Sequence, residues 1–208
     1  MKTIPVIYKG KTVPCSIYSH EDDFMILNIF FNWRMQEQLA SASELKRPSL
    51  PTEFSTPFCC RVLDLAHSTK SSKSEPNCFE IGRVEDDPVA IKTIEIKSTI
   101  TEDGFTDIKK DLDFDELCWL DCSNYKNLSF YIYQFTKEDL RSFISESKTQ
   151  RNSVTVHMAE IAKELGVQPV FEGKVGISVE RIEWEKVNQA EEDVMKKILE
   201  SEEYLFAL

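Results

Sequence analysis

The order of periodic segments along the chain predicts a mixed α/β fold, a central mixed β-sheet flanked by helices. Two segments with apolar residues at helical spacing come first, four strand-like runs follow, and a helix-capping pattern then opens another helix. No internal repeat interrupts this order.

Each element has a local reason. TIPVIY-KGK-TVPCSIY reads as a hairpin turning at Lys9-Gly10-Lys11. Phe24, Leu27, Phe31 and Met35 then recur at helical spacing, after Asp22 or Asp23 as a cap and before the breaker RPSLP. A second helix is expected over TEFSTPFCCRVLDLAHS, capped by Thr52, with Phe54, Phe58, Val62 and Leu65 on one face. Pro57 suits a first turn, so the regular helix is expected to begin there. SSKSEP is a polar connector too short for a domain boundary. Residues 78–99 read as a hairpin with EDDP, including Asp86 and Asp87, as its turn. After a polar loop, ELCWLDC and LSFYIYQF read as central strands, with Trp119 and the aromatic run in the core. Thr136 and Asp139 form a capping box for a short helix. SVTVHMAEIAKELGV is strand then helix, GKVGISVERIEW a further strand, and the last twenty or so residues a charged amphipathic helix. One domain over 1–208 is expected: hairpin and helices at 1–70, a core at 71–146 and an extension at 147–208.

Composition bounds the classes. With 41% hydrophobic and 29% charged residues in 208, the chain can bury one sizeable core. No apolar run approaches the ~20 residues that span a bilayer, and the start has no signal-peptide core, so a cytoplasmic, prokaryotic protein is expected. The six cysteines match no zinc or CxxC spacing and read as reduced core thiols. The net charge of −11 argues against a simple nucleic-acid coat. It is uneven: residues 1–84 hold ten basic and nine acidic residues (10 − 9 = +1), and residues 85–208 hold fifteen and twenty-seven (15 − 27 = −12).

One constellation carries chemistry. In IEIKST, Glu95 and Lys97 are two residues apart and so share one face of a strand whose other neighbours are apolar. Hydrolysis of a phosphodiester with a divalent cation needs two or three carboxylates as hard ligands and a cation to orient water or offset charge. The second donor should come from the preceding strand. A turn centred between Asp86 and Asp87 sets residue 78 opposite Glu95, which points to residues 77–80, where Asn77 and Glu80 stand. The bland alternatives are a strand-surface ion pair for Glu95 and Lys97, worth ~0–1 kcal/mol, a helix-dipole role for Glu53, and pairing of Glu80 with Lys92 or Arg83. His20, His67 and His157 have no spaced partners and read as surface or capping residues.

Pro76-Asn77, followed eighteen residues on by Glu95-Ile96-Lys97, resembles the PD-(D/E)XK nuclease signature with Asn in place of its Asp. IYSHEDDFMILNIFFNWR, LPTEFSTPFCC and FDELCWLDC are similar to the small type II restriction endonucleases that cut at GCNGC-type sites, over about residues 17–135. The resemblance implies a Mg²⁺-dependent endonuclease acting on double-stranded DNA at a short palindromic site. It implies a homodimer and a cognate DNA methyltransferase in the same system. Glu95 and residue 77, an Asp in an active form, would be the metal ligands. Lys97 would orient water or stabilise charge, and Glu53 or Glu80 would be an outer ligand. The amide at 77 departs from the pattern: either Glu80 takes its place, or the site is degraded, or an Asp-to-Asn replacement has inactivated the chain. Lys46, Arg47, Arg61, Lys70 and Lys73 would face the DNA. The helix at 22–38, with Phe24, Leu27, Phe30, Phe31 and Trp33, would supply the dimer contact. Two rival expectations are a junction-resolving or repair nuclease of the same superfamily and a non-catalytic acidic DNA mimic or interaction protein.

Overall fold

The computed structural model describes residues 1–69, 77–84, 87–145 and 152–174. β1 (Lys2–Tyr8) and β2 (Lys11–Ile17) form the expected hairpin, turning through Lys9 and Gly10 at positive φ. After a 3₁₀ turn at His20–Asp22 comes α1 (Asp23–Ala42). Its entry is fixed by Asp22, which accepts hydrogen bonds from the Ser19 N–H (2.9 Å) and hydroxyl (3.2 Å) and pairs with the Met1 amine.

Burial in α1 departs from the expected stripe. Leu27, Phe30, Phe31 and Trp33 are all buried, and Phe24 is 63% exposed. Phe30 is enclosed by the rings of Phe31, Trp33, Phe54 and Phe130. The chain's own core thus absorbs four of the five large side chains that suggested a dimer contact here, which removes that ground for one.

α2 (Thr52–Leu63) begins after Pro51, so Thr52 is its first residue rather than its cap, and Pro57 lies inside it. The helix stops at Asp64, whose left-handed φ of 54° ends the spiral. Ala66–Ser68 then form β3, a strand where helix was expected. The reason is tertiary: β3 is bonded between β2 (Ser16↔His67) and β4 (Cys78–Val84; His67↔Cys78), and this pairing outweighs local helical spacing.

β5 (Asp87–Thr99) pairs antiparallel with β4 and parallel with β7 (Glu116–Asp121), which pairs antiparallel with β8 (Ser129–Thr136). Between β5 and β7, in the expected polar loop, lies β6 (Phe105–Lys109). α3 (Lys137–Ser145) opens with the Thr136–Asp139 capping box. β9 (Ser153–His157), α4 (Met158–Leu165) and β10 (Phe171–Lys174) follow. Most of GKVGISVERIEW and the C-terminal helix lie outside the described residues.

The main sheet has eight strands in the order β1-β2-β3-β4-β5-β7-β8-β10, and β6 with β9 forms a second, two-stranded sheet. β1 also pairs with β5 at Ile7↔Val89, so β1 to β5 curl into a closed loop filled by Val6, Val13, Cys15, Ala66 and Phe79. This is the mixed α/β class expected. The two faces of the flatter half hold separate cores. One packs α1 and α2 on Cys78, Ile94, Cys118, Leu120, Phe130 and Ile132. The other packs β6, β9, α3 and α4 on Leu117, Trp119 and Phe135.

Candidate functional site

β5 is an inner strand, and its alternation assigns its side chains to faces. Ile94 and Ile96 pack with the α1–α2 core. Glu95 and Lys97 therefore project from the opposite face, in register with Leu117 and Trp119 of the second core. Their side chains meet, Lys97 Nζ to Glu95 Oε1 at 3.0 Å, with 28% and 25% of each exposed. The pair is neither buried nor fully hydrated.

The strand register decides what stands across from Glu95. β4 and β5 pair as Val84↔Asp87 near the turn and Cys78↔Ile94 at the far end, with an irregularity between Glu80 and Ile81. The expected register, with residue 78 opposite Glu95, is therefore off by one. Residues 85 and 86 lie outside the described residues, and Asp87 opens β5 instead of sitting in the turn. Extending the pairing by one step brings Asn77 opposite Glu95, on the same face as Glu95 and Lys97. Asn77 is exposed, and its carbonyl accepts the Ser68 N–H at 2.8 Å, which ties this end of β4 to β3.

The upper half of β5 is held by a clamp. The Asp115 carboxylate accepts the Thr93 N–H (2.8 Å) and hydroxyl (2.7 Å), and the Asp115 N–H returns to the Thr93 carbonyl (2.9 Å). Burial alone would raise the Asp115 pKa; the Thr93 hydrogen bonds outweigh it, helped by Lys137 and Lys9, and hold it below 3.8. Beyond Lys97, Thr99 accepts the Trp119 indole N–H at 2.9 Å. Trp119 in turn lies against Gly104, where a Cβ would come within 2.6 Å of its ring. Glu95 and Lys97 thus sit on a strand pinned on both sides of them.

The other expected site residues are elsewhere. Glu80 lies on the α1–α2 face, where Lys92 bridges it (3.1 Å) to Glu116 (2.7 Å). The sheet separates it from Glu95, so it cannot stand in for Asn77. Glu53 is exposed in the first turn of α2, also across the sheet, next to Thr52. Neither completes a site with Glu95. Arg61 is held by Asp23 (2.9 Å) and joins α2 to α1; Arg47 meets the buried Glu37 (3.5 Å) and Ser41 (3.0 Å). Lys46 is exposed beside Arg47, on the α1–α2 side of the sheet. Lys70 and Lys73 lie outside the described residues. Among the carboxylates not singled out from the sequence, Asp121 shares the Glu95 face, paired with Thr99 at the end of β7 and accepting the Ser123 N–H at 2.8 Å. Strand alternation in CWLDC signals it, once the face of Trp119 is known.

His67 is half-buried against the Tyr18 hydroxyl (2.9 Å), His157 precedes α4, and His20 is exposed, so none of the three histidines joins the site.

Mg²⁺ prefers hard, charged oxygens. The one carboxylate here is Glu95 itself and the oxygen donor brought to it is a carboxamide, and among the described residues no group of three or more His, Cys, Asp or Glu gathers to hold a metal. As the chain stands, these residues do not fit Mg²⁺; with Asp at 77 the face would present a carboxylate pair beside a lysine. No protein-family model matches the chain, and no curated protein or solved structure is significantly similar to it. Among the described residues no helix is long and apolar enough to cross a membrane.

Proposed function

We propose that the chain carries the framework of a Mg²⁺-dependent DNA endonuclease of restriction type, with its metal position weakened by asparagine at residue 77. The observation that supports this reading is the arrangement on β5. Glu95 and Lys97 are paired on one partly exposed face of an inner strand, and residue 77 lies one step beyond the last β4–β5 pair, Cys78↔Ile94, where continued register would set it opposite Glu95. A partly exposed carboxylate on an inner strand, beside a lysine, supplies one ligand and the cation of such a site. In this reading β4, β5, β7 and the flanking helices make a restriction-endonuclease-like core. Lys97 meets the scissile phosphate with its ammonium, and Glu95 supplies the charged oxygen. The partners are a duplex with a palindromic site, a second copy of the chain and a cognate methyltransferase, in the cytoplasm of a prokaryote.

The amide at 77 favours one second reading, a protein that binds DNA or a DNA-binding partner without cutting. Incubating the chain and its Asn77→Asp variant with phage DNA and Mg²⁺ separates these readings. Discrete bands from the variant, with little cutting by the original chain, are expected. A smear would indicate a nuclease that reads no sequence, and intact DNA from both forms a non-catalytic binder.

A further inference from the structure

We infer that the cleft between the end of β6 and α3 is a seat for backbone phosphate, and that duplex DNA lies along this face rather than over the N-terminal helices. The inference rests on the nuclease reading for its ligand and on the cleft itself for its chemistry. The cleft has a volume of about 700 Å³ and is lined by Lys110, Lys137 and Arg141, with Asp111 as the one carboxylate among its described lining residues. Its floor is apolar, formed by the buried Leu112 and Ile144.

Three observations point to an anion. Lys137 and Arg141 are four residues apart on α3 and so project from one side of it, an arrangement of like charges that an isolated helix disfavours. Acidic residues are plentiful in a chain of net charge −11, yet among the described residues neither Lys137 nor Arg141 makes an ion pair with one. Two nearby carboxylates accept from neutral donors, Asp139 from Thr136 (2.7 and 2.8 Å) and Asp115 from Thr93, with the Lys137 charge acting on Asp115 only at longer range. A guanidinium offers a fork of N–H donors that matches phosphate oxygens, and an ammonium adds a point charge. The volume exceeds that of one phosphate.

The position of the cleft selects the source of that phosphate. Leu112 and Ile144 belong to the same core as Leu117 and Trp119, the register partners of Glu95 and Lys97. The cleft therefore lies on the side of the sheet that carries the candidate site. Lys46, Arg47 and Arg61 ride with α1 and α2 on the other face, and Arg47 and Arg61 are already engaged by Glu37 and Asp23.

The test measures binding of a short DNA duplex by the full chain in Ca²⁺ across a salt series, and repeats it with Lys137→Gln/Arg141→Gln and with Lys46→Gln/Arg47→Gln. The logarithmic salt slope should fall by about 0.9 for each phosphate that the cleft variant no longer neutralises, and stay unchanged in the other. Equal slopes in the wild type and the cleft variant, or a weakening confined to Lys46→Gln/Arg47→Gln, overturn the inference. Should the double variant misfold by circular dichroism, Arg141→Gln alone, at an exposed position, is read by the same criteria. Should the wild type bind no duplex, the nuclease reading falls separately, and calorimetry with pyrophosphate decides the cleft. Binding by the wild type and not by the cleft variant sustains an anion seat for a free phosphate; binding by neither, or equally by both, overturns it.

Discussion

Replacing Asp115 by Asn should loosen the strand that carries Glu95 and Lys97, by an amount that follows from its hydrogen bonds. The carboxylate accepts two, from the Thr93 N–H at 2.8 Å and the Thr93 hydroxyl at 2.7 Å. Hydrogen bonds to a charged group contribute about 1.5–3 kcal/mol each when shielded. Asp115 is exposed, so solvent screens much of this, and an Asn keeps one acceptor oxygen. The expected net loss is about 1–2 kcal/mol at neutral pH. The sign of the pH dependence follows from the lowered pKa. The contribution is fully present above 3.8 and is lost as the pH falls through the folded value. Urea unfolding followed by tryptophan fluorescence, run for both proteins at neutral and acid pH, should show a gap that closes on acidification. An Asn variant as stable as the wild type at neutral pH, or a gap independent of pH, would refute the role assigned to the clamp.

Other expectations follow from the two cores. Phe30→Ala removes a fully buried ring enclosed by four others and should cost about 3–5 kcal/mol in urea unfolding; a loss below ~1 kcal/mol would mean that the site collapses freely. Burial lowers the pKa of His67 from 6.5, so its neutral ring stabilises the fold above pH 6.5, and that stability is lost as the pH falls through the folded value. His67→Gln should flatten this limb of the stability–pH curve, and an unchanged limb would assign it to another group. All six cysteines are buried, and burial pushes Cys15 up to about 11 and Cys118 up to about 12. A thiol reagent at neutral pH should react with them only after unfolding, and rapid reaction of the native protein would contradict the described packing.

Much of this fold was legible in the pattern of residues, and the reasons for the misses are physical. The first hairpin, α1, β7, β8 and the capping box of α3 announce themselves through local periodicity and turn chemistry, which need no tertiary context. β3 did not, because Ala66–Ser68 follows a helical stripe without a break other than Asp64, and becomes a strand only through its two neighbours. β6 is short and mostly polar, and its partner β9 lies far along the chain. The same division holds for the site. The spacing of Glu95 and Lys97 puts them on one face whatever the fold. The pairing next to the turn, Val84↔Asp87, would by itself set residue 76 opposite Glu95; the irregularity at Glu80/Ile81 shifts this to 77, and no local signal marks it. The positions of Glu53, Glu80 and Arg61 have a different reason: which face of a sheet a side chain or a helix lands on is set by the topology, which a linear pattern of charges does not encode; for Glu80 the alternative pairing with Lys92 is the one the fold makes.

Calcium affinity, measured by calorimetry on the original chain, on Asn77→Asp and on Asn77→Asp/Glu95→Gln, tests the central claim most directly. Ca²⁺ takes oxygen ligands as Mg²⁺ does. If residue 77 and Glu95 face each other as one divalent-cation site, the original chain binds weakly and Asn77→Asp binds at least about tenfold more tightly, a gain of about 1.4 kcal/mol. Adding Glu95→Gln then removes that gain. Equal affinity in all three forms would contradict a site built on these two positions, and with it the nuclease reading of this face.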